Sequence, residues 1–141
     1  MVLTDEVRAA LSGGNLAHLV TLGADGSPQV SVIWVMPDGD EIVAAHLGRH
    51  QKVRNIERDP RVALSMVTGG VNEHGLDNYL VVYGSARITE GDAPETLRRI
   101  SVAYIPPGVE FPLPPNPPPG FVTHISVERV GGVGPWSSEG G

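Results

Sequence analysis

Apolar residues alternate along most of this chain and recur at helical spacing in three short stretches, which predicts a sheet with a few small helices. Thr4 followed by Asp5 and Glu6 reads as a helix start, with a hydroxyl cap and two acids facing the positive helix end. Val7 and Leu11 lie one turn apart, and Gly13–Gly14 ends the helix. Leu16 to Leu22 reads as a strand, followed by a turn over Ala24 to Pro28. Gln29 to Met36 reads as a second strand, Pro37 to Asp40 as a turn, and Glu41 to Leu47 as a third strand, together an antiparallel meander.

Gly48 breaks that pattern. Gln51 to Arg58 reads as a short helix with Val53 and Ile56 on its inner side, and Asp59–Pro60 ends it, because a residue before proline disfavours helical backbone. Arg61 to Val67 is expected as a fourth strand, Thr68 to Asp77 as a polar loop, and Asn78 to Thr89 as a long fifth strand with a bulge or bend at Gly84. Asp92 is expected to cap a third helix with Pro94 in its first turn and Leu97, Ile100 and Tyr104 along one stripe. Residues 105–120 hold eight of the thirteen prolines, so they form neither helix nor central strand. They read as an extended lid or arm, or as a partly disordered segment. Phe121 to Val130 completes a set of six strands, and residues 131–141 read as a flexible glycine-rich tail apart from Pro135–Trp136. With no internal repeat, residues 1–141 form a single expected domain.

Two strands are apolar on both faces. Val30, Val32, Trp34 and Met36 share one face of the second strand, while Ile33 and Val35 occupy the other; Leu80 to Tyr83 are apolar in succession. A sheet with one solvated face alternates more cleanly. The inside of a barrel covers one face, and three short helices are too few to cover the other. A homodimer burying part of the outer wall is therefore expected.

Composition narrows the chemistry. The chain has no cysteine, which removes disulfides, thiolate catalysis and cysteine-ligated metal sites. No stretch approaches the roughly 20 apolar residues of a membrane span, and Met1 to Leu11 lacks a basic region followed by an apolar run. A soluble cytoplasmic protein is expected. The net charge of −6 argues against nucleic-acid binding. Yet five of the ten basic residues, Arg49, Lys52, Arg54, Arg58 and Arg61, fall within one short segment, and Lys52 is the only lysine. A local basic cluster on an acidic protein points to a small anionic ligand.

Familiar catalytic constellations are missing. His46 and His50 have the i, i+4 spacing of a helical metal pair but straddle a strand end and a glycine, and no glutamate follows His46, so no metal site is expected. His18 and His124 read as hydrogen-bonded wall residues. No Gly-x-Ser-x-Gly elbow and no glycine-rich phosphate loop occurs. If the chain is an enzyme, a cofactor carries its chemistry. Lys52 and Arg54 near a helix start oppose the helix dipole unless an anion lies between them, with free backbone N–H groups as further donors. The alternative is a solvated basic face paired with Glu57 and Asp59.

The order of helix, meander, basic helix ending in Arg58-Asp59-Pro60-Arg61-Val62-Ala63, and long strand with Tyr83-Gly84-Ser85-Ala86 resembles the pyridoxamine 5′-phosphate oxidase-like split-barrel superfamily. Within it the chain is most similar to actinobacterial deazaflavin (F420)-dependent reductases, above all in Lys52, Asn55, Asp59 and Pro60. The resemblance implies a mainly β, six-stranded antiparallel split β-barrel with three short helices, working as a homodimer with the cofactor in a groove between subunits. It implies that Ser31, Ile33, Trp34 and Val35 line the cofactor ring, and that Arg49, His50, Lys52 and Arg54 hold its phosphate or anionic tail. Trp136 either closes the partner's groove or packs on its own barrel. The implied activity is hydride transfer between reduced coenzyme F420 and a small or medium-sized unsaturated acceptor, with the proton from solvent or from a hydroxyl such as Tyr79 or Tyr83. The alternatives are an FMN oxidoreductase of the flavin reductase or pyridoxine phosphate oxidase kind, and a non-catalytic F420- or haem-binding protein. The long proline loop departs from the compact family pattern.

Overall fold

In the computed structural model, which describes residues 1–137, strands β1 (Ala17–Leu22), β2 (Pro28–Ile33), β3 (Met36–Asp38), β4 (Glu41–His46), β5 (Arg61–Val71), β6 (Asp77–Glu90) and β7 (Phe121–Val133) form one antiparallel sheet in the order β2-β1-β5-β6-β7-β4-β3. Its edge strands β2 and β3 are neighbours in sequence, with only Trp34–Val35 between them. Laid flat, seven strands would put the edges about 29 Å apart. The chain from Ile33 to Met36 reaches about 11 Å at most. The sheet must therefore curl until its edges meet, and the seam is crossed by the chain rather than by a ladder of hydrogen bonds. That is a split barrel.

The seam corrects the expected strand count from six to seven. The stretch read as one strand over Gln29 to Met36 is divided, because β2 pairs with β1 while β3 pairs with β4 on the far edge. The apolar run Val32 to Met36 continues through the break, so hydrophobic pattern alone does not show it. The polar loop expected over Thr68 to Asp77 shrinks to a turn, since β5 runs on to Val71 through an irregular register. Part of the expected tail is ordered as strand, β7 continuing to Val133, and residues 138–141 lie outside the described residues. Gly84 does sit at a register shift between β6 and β7, where a Cβ would lie 2.1 Å from the Ser126 carbonyl oxygen.

Inward residues of every strand except β3 meet in one core. Leu19, Ile42, Leu64, Met66, Leu80 and Ile125 are almost wholly buried there. Each contributes about 1.5–3 kcal/mol relative to an exposed side chain. Helix α1 (Asp5–Leu11) covers one end with Val7 and Leu11, and its cap is the expected one, Thr4 Oγ1 accepting from Val7 N–H at 3.3 Å. Helix α2 (Gln51–Arg58) packs Val53 and Ile56 inward. Asp92 precedes helix α3 (Ala93–Ser101) but has left-handed backbone at φ 62° and makes no side-chain cap, contrary to expectation. Tyr104 lies one turn beyond the end of α3 rather than on it.

The outer wall is unusually apolar. Register places Val30 and Val32 of β2, Val20 of β1, Ala63 and Val67 of β5, and Tyr79 and Tyr83 of β6 on one continuous outer face. Val30 is 62% exposed and Val67 63%, far more than a core-facing residue retains.

Candidate active-site cleft

At the end of the barrel beside the seam lies a cleft of about 320 Å³. Leu16, Val32, Ile33 and Trp34 form one wall, Ala45 and His46 from the end of β4 the floor, and Lys52 of α2 the charged side. Leu97 of α3 and Phe111 of the proline loop close it from above.

Tyr104 fixes the Trp34 wall. Its ring stacks on the indole at 4.9 Å with planes 10° apart. Its hydroxyl accepts from Val35 N–H at 3.0 Å and donates to the Asn15 carbonyl at 2.7 Å. Seam residues have no sheet partner, so the phenol replaces the missing ladder bond. Phe111 also packs against Trp34, its ring tilted by 58° at 5.7 Å.

Asn55 positions Lys52. Its amide is 1% exposed and fully engaged: Nδ2 donates to Thr21 Oγ1 at 3.0 Å and Gln29 Oε1 at 3.1 Å, and Oδ1 accepts from Gln51 at 2.8 Å and Arg58 at 2.9 Å. The helix is thereby tied to β1 and β2 with Lys52 facing the cleft. Burial pushes the Lys52 ammonium below its usual pKa, and among the described residues no carboxylate lies within ion-pair distance of it. The first turn of α2 carries no acidic residue, and its N-cap, His50, makes no side-chain cap bond. The arrangement is short of negative charge, so a bound anion fits it.

His46 is 6% exposed and its Nε2 bonds Thr123 Oγ1 at 2.8 Å. Burial first, then the charges of Lys52 and His50, drive its pKa down to about 3, so the imidazole beside Lys52 is neutral at pH 7.

The expected site residues separate into groups. Ile33, Trp34 and Lys52 come together in the cleft. Ser31 lies further along β2, on the inward face opposite Leu19. Val35 is fully buried in the core, outside the cleft lining. His50 and Arg54 are exposed on the first turns of α2. Arg49 turns to another corner, pairing with Glu57 and with Glu90 at 3.3 Å, its guanidinium 4.6 Å over the Phe121 ring. Trp136 packs on its own barrel, donating to the Tyr79 carbonyl at 3.0 Å and lining a separate cavity with Ala9 and Asn78. Sequence reasoning missed His46, Leu97 and Phe111 as cleft residues. Among the described residues, no cluster of His, Asp and Glu is arranged to hold a metal ion.

A family model described as pyridoxamine 5′-phosphate oxidase matches residues 3–134. The chain belongs to that family. Solved structures of the same fold include an F420 reductase, 24% identical with a TM-score of 0.71, covering 92% of this chain and 98% of that one. A Lactobacillus delbrueckii protein provisionally assigned as a pyridoxamine 5′-phosphate oxidase is 26% identical with a TM-score of 0.59, covering 92% and 93%. HupZ of Group A Streptococcus is 19% identical with a TM-score of 0.65, covering 96% and 98%. No curated protein matches the chain. As a pyridoxamine 5′-phosphate oxidase-like split barrel resembling F420 reductases, the protein has an oxidoreductase-type fold, and no helix among its described residues is long and apolar enough to cross a membrane.

Proposed function

We propose that the protein is a homodimeric oxidoreductase that holds coenzyme F420 in the Lys52 cleft and reduces a small or medium-sized unsaturated organic acceptor. One observation carries the reading: a half-buried ammonium without a carboxylate partner shares a cleft with an indole wall. Such a pair suits a flat ring that ends in an anion. Reduced F420 supplies the hydride when bound. Lys52 and the free N–H groups of α2 hold the anionic end, Trp34 and Ile33 give the ring a flat wall, and Leu97 and Phe111 keep water off it.

A second copy of the chain supports the site. Val32 lines the cleft and also belongs to the apolar outer face, 56% exposed. A partner seated on that face would border the cleft, giving the shared groove that family resemblance implies. Neither Tyr79 nor Tyr83 reaches the cleft of its own protomer; both lie on the outer face, Tyr83 beneath the Arg129 guanidinium at 4.1 Å. The accompanying proton then comes from solvent at the open side or from a hydroxyl that the second copy brings to the groove.

FMN is the second reading, and a specific observation favours it. Of the basic cluster, Arg49 pairs with Glu57 and Glu90, Arg61 with Asp59, and Arg58 bonds the Leu22 carbonyl and Asn55. Lys52 and Arg54 remain to meet an anion, enough for one phosphate and few for a long oligoglutamate tail. Titrating the purified protein carrying Trp136→Phe with F420 and with FMN, read by Trp34 fluorescence, decides between them. Tighter binding of FMN reverses the ranking, and binding of neither ends the redox reading.

A further inference from the structure

The proline loop is built around Phe111. Both ends of the loop are pinned: Tyr104 and Ile105 N–H groups bond the Ser101 carbonyl at 3.0 and 2.9 Å, Ala93 N–H bonds the Pro119 carbonyl at 3.0 Å, and Gly91 N–H bonds the Gly120 carbonyl at 2.7 Å. Gly120 itself has φ 64° and sits so close to the end of β4 that a Cβ would lie 2.4 Å from the His46 carbonyl oxygen. Between these anchors, proline rings fix the backbone before anything binds. Phe111 lines two cavities. One is the Lys52 cleft. The other is a chamber of about 420 Å³, partly open to solvent, between the loop and α3, lined by Arg98, Glu110, Leu113 and Asn116 as well as Phe111.

We propose that Phe111 is the specificity-determining residue of the acceptor site, a partition between the redox cleft and the loop chamber. The proposal rests on the reading of the cleft as the place where the acceptor meets the cofactor. With phenylalanine in place, the cleft accepts a flat, compact unsaturated ring and turns away one with a bulky substituent. With the partition removed, a substituent passes into the chamber, whose Arg98 and Asn116 suit a polar group and whose Leu113 and prolines suit an apolar one.

Two enones with the same reacting group test this: 2-cyclohexen-1-one and its 4-phenyl derivative. Binding is read by quenching of Trp34 in full-length protein carrying Trp136→Phe, which leaves one indole. Phe111→Ala is expected to raise affinity for the phenyl enone relative to the parent at least about tenfold, and Phe111→Leu, which removes less of the partition, to raise that ratio by a smaller factor. Titration of the same variants with F420 and FMN is the separate arm and reports whether the cleft still takes a cofactor once the residue that shields it is changed. Failure of cofactor binding in every protein would sink the redox reading yet leave the enone ratio to judge the partition. An enone ratio within twofold of wild type in both variants overturns the partition, as does a Trp34 signal that responds to neither enone.

Discussion

Arg49 and Lys52 stand three residues apart in one basic segment, yet they belong to different parts of the molecule. Arg49 lies across Phe121, held by Glu57 and Glu90, with its charge already balanced. Lys52 enters a cleft, loses hydration and meets no carboxylate among the described residues. The difference teaches that a cluster of like charges in sequence is not a site. A site needs a charge left unbalanced where water is scarce, and helix orientation decides which member of the cluster that is.

The widest test of this contrast removes the device that sets the orientation. Asn55→Leu strands the polar partners of the amide, and a loss of about 3 kcal/mol in folding stability is expected from urea unfolding. A loss under 1 kcal/mol would mean that α2 is held chiefly by Val53 and Ile56. Next, Lys52→Ala is expected to weaken cofactor binding by about 1.5–3 kcal/mol, the scale of a hydrogen bond to a charged group, with the fold intact. Unchanged affinity in calorimetry would move the anion elsewhere.

The neutral imidazole beside Lys52 gives a smaller effect with a definite sign. The folded-state pKa of His46, about 3, lies below its ordinary 6.5, so the unfolded chain binds the proton more readily. Its contribution is complete above pH 6.5 and is lost as pH falls toward 3. Between pH 7 and pH 5, wild type is expected to lose about 2 kcal/mol more stability than His46→Gln, which keeps a hydrogen-bonding group near Thr123. Parallel pH profiles for the two proteins would show that the imidazole does not resist protonation. Smallest is Arg49→Ala, expected to alter cofactor Kd less than twofold. A tenfold loss would erase the distinction between the two cations and restore the extended cluster that suits a long anionic tail.

Much of the fold was legible because local chemistry and tertiary context agree. Thr4 caps α1, Pro60 stops α2, and Gly84 marks the bulge, each through a constraint carried by the residue itself. The seam was not legible. Trp34 and Val35 are as apolar as any strand residues, and only the pairing of β2 and β3 with different partners reveals that the chain changes edges there. Asp92 had the right side chain for a cap, but its left-handed backbone, following a Gly91 that also has positive φ, gives it no cap bond. In the candidate site, Lys52 was visible by its singularity and Trp34 by its strand. Phe111 was not, because a proline loop carries no periodicity that aims its side chains. His46 was hidden by its apolar neighbours, and a spacing argument drew attention to metals instead.

Tyr104 rivets a ring of strands at a join where backbone pairing is interrupted. The indole beneath that rivet is also a wall of the cleft. Whatever grips the indole therefore tightens the hoop as a whole, and the melting point of the entire domain becomes a gauge of occupancy.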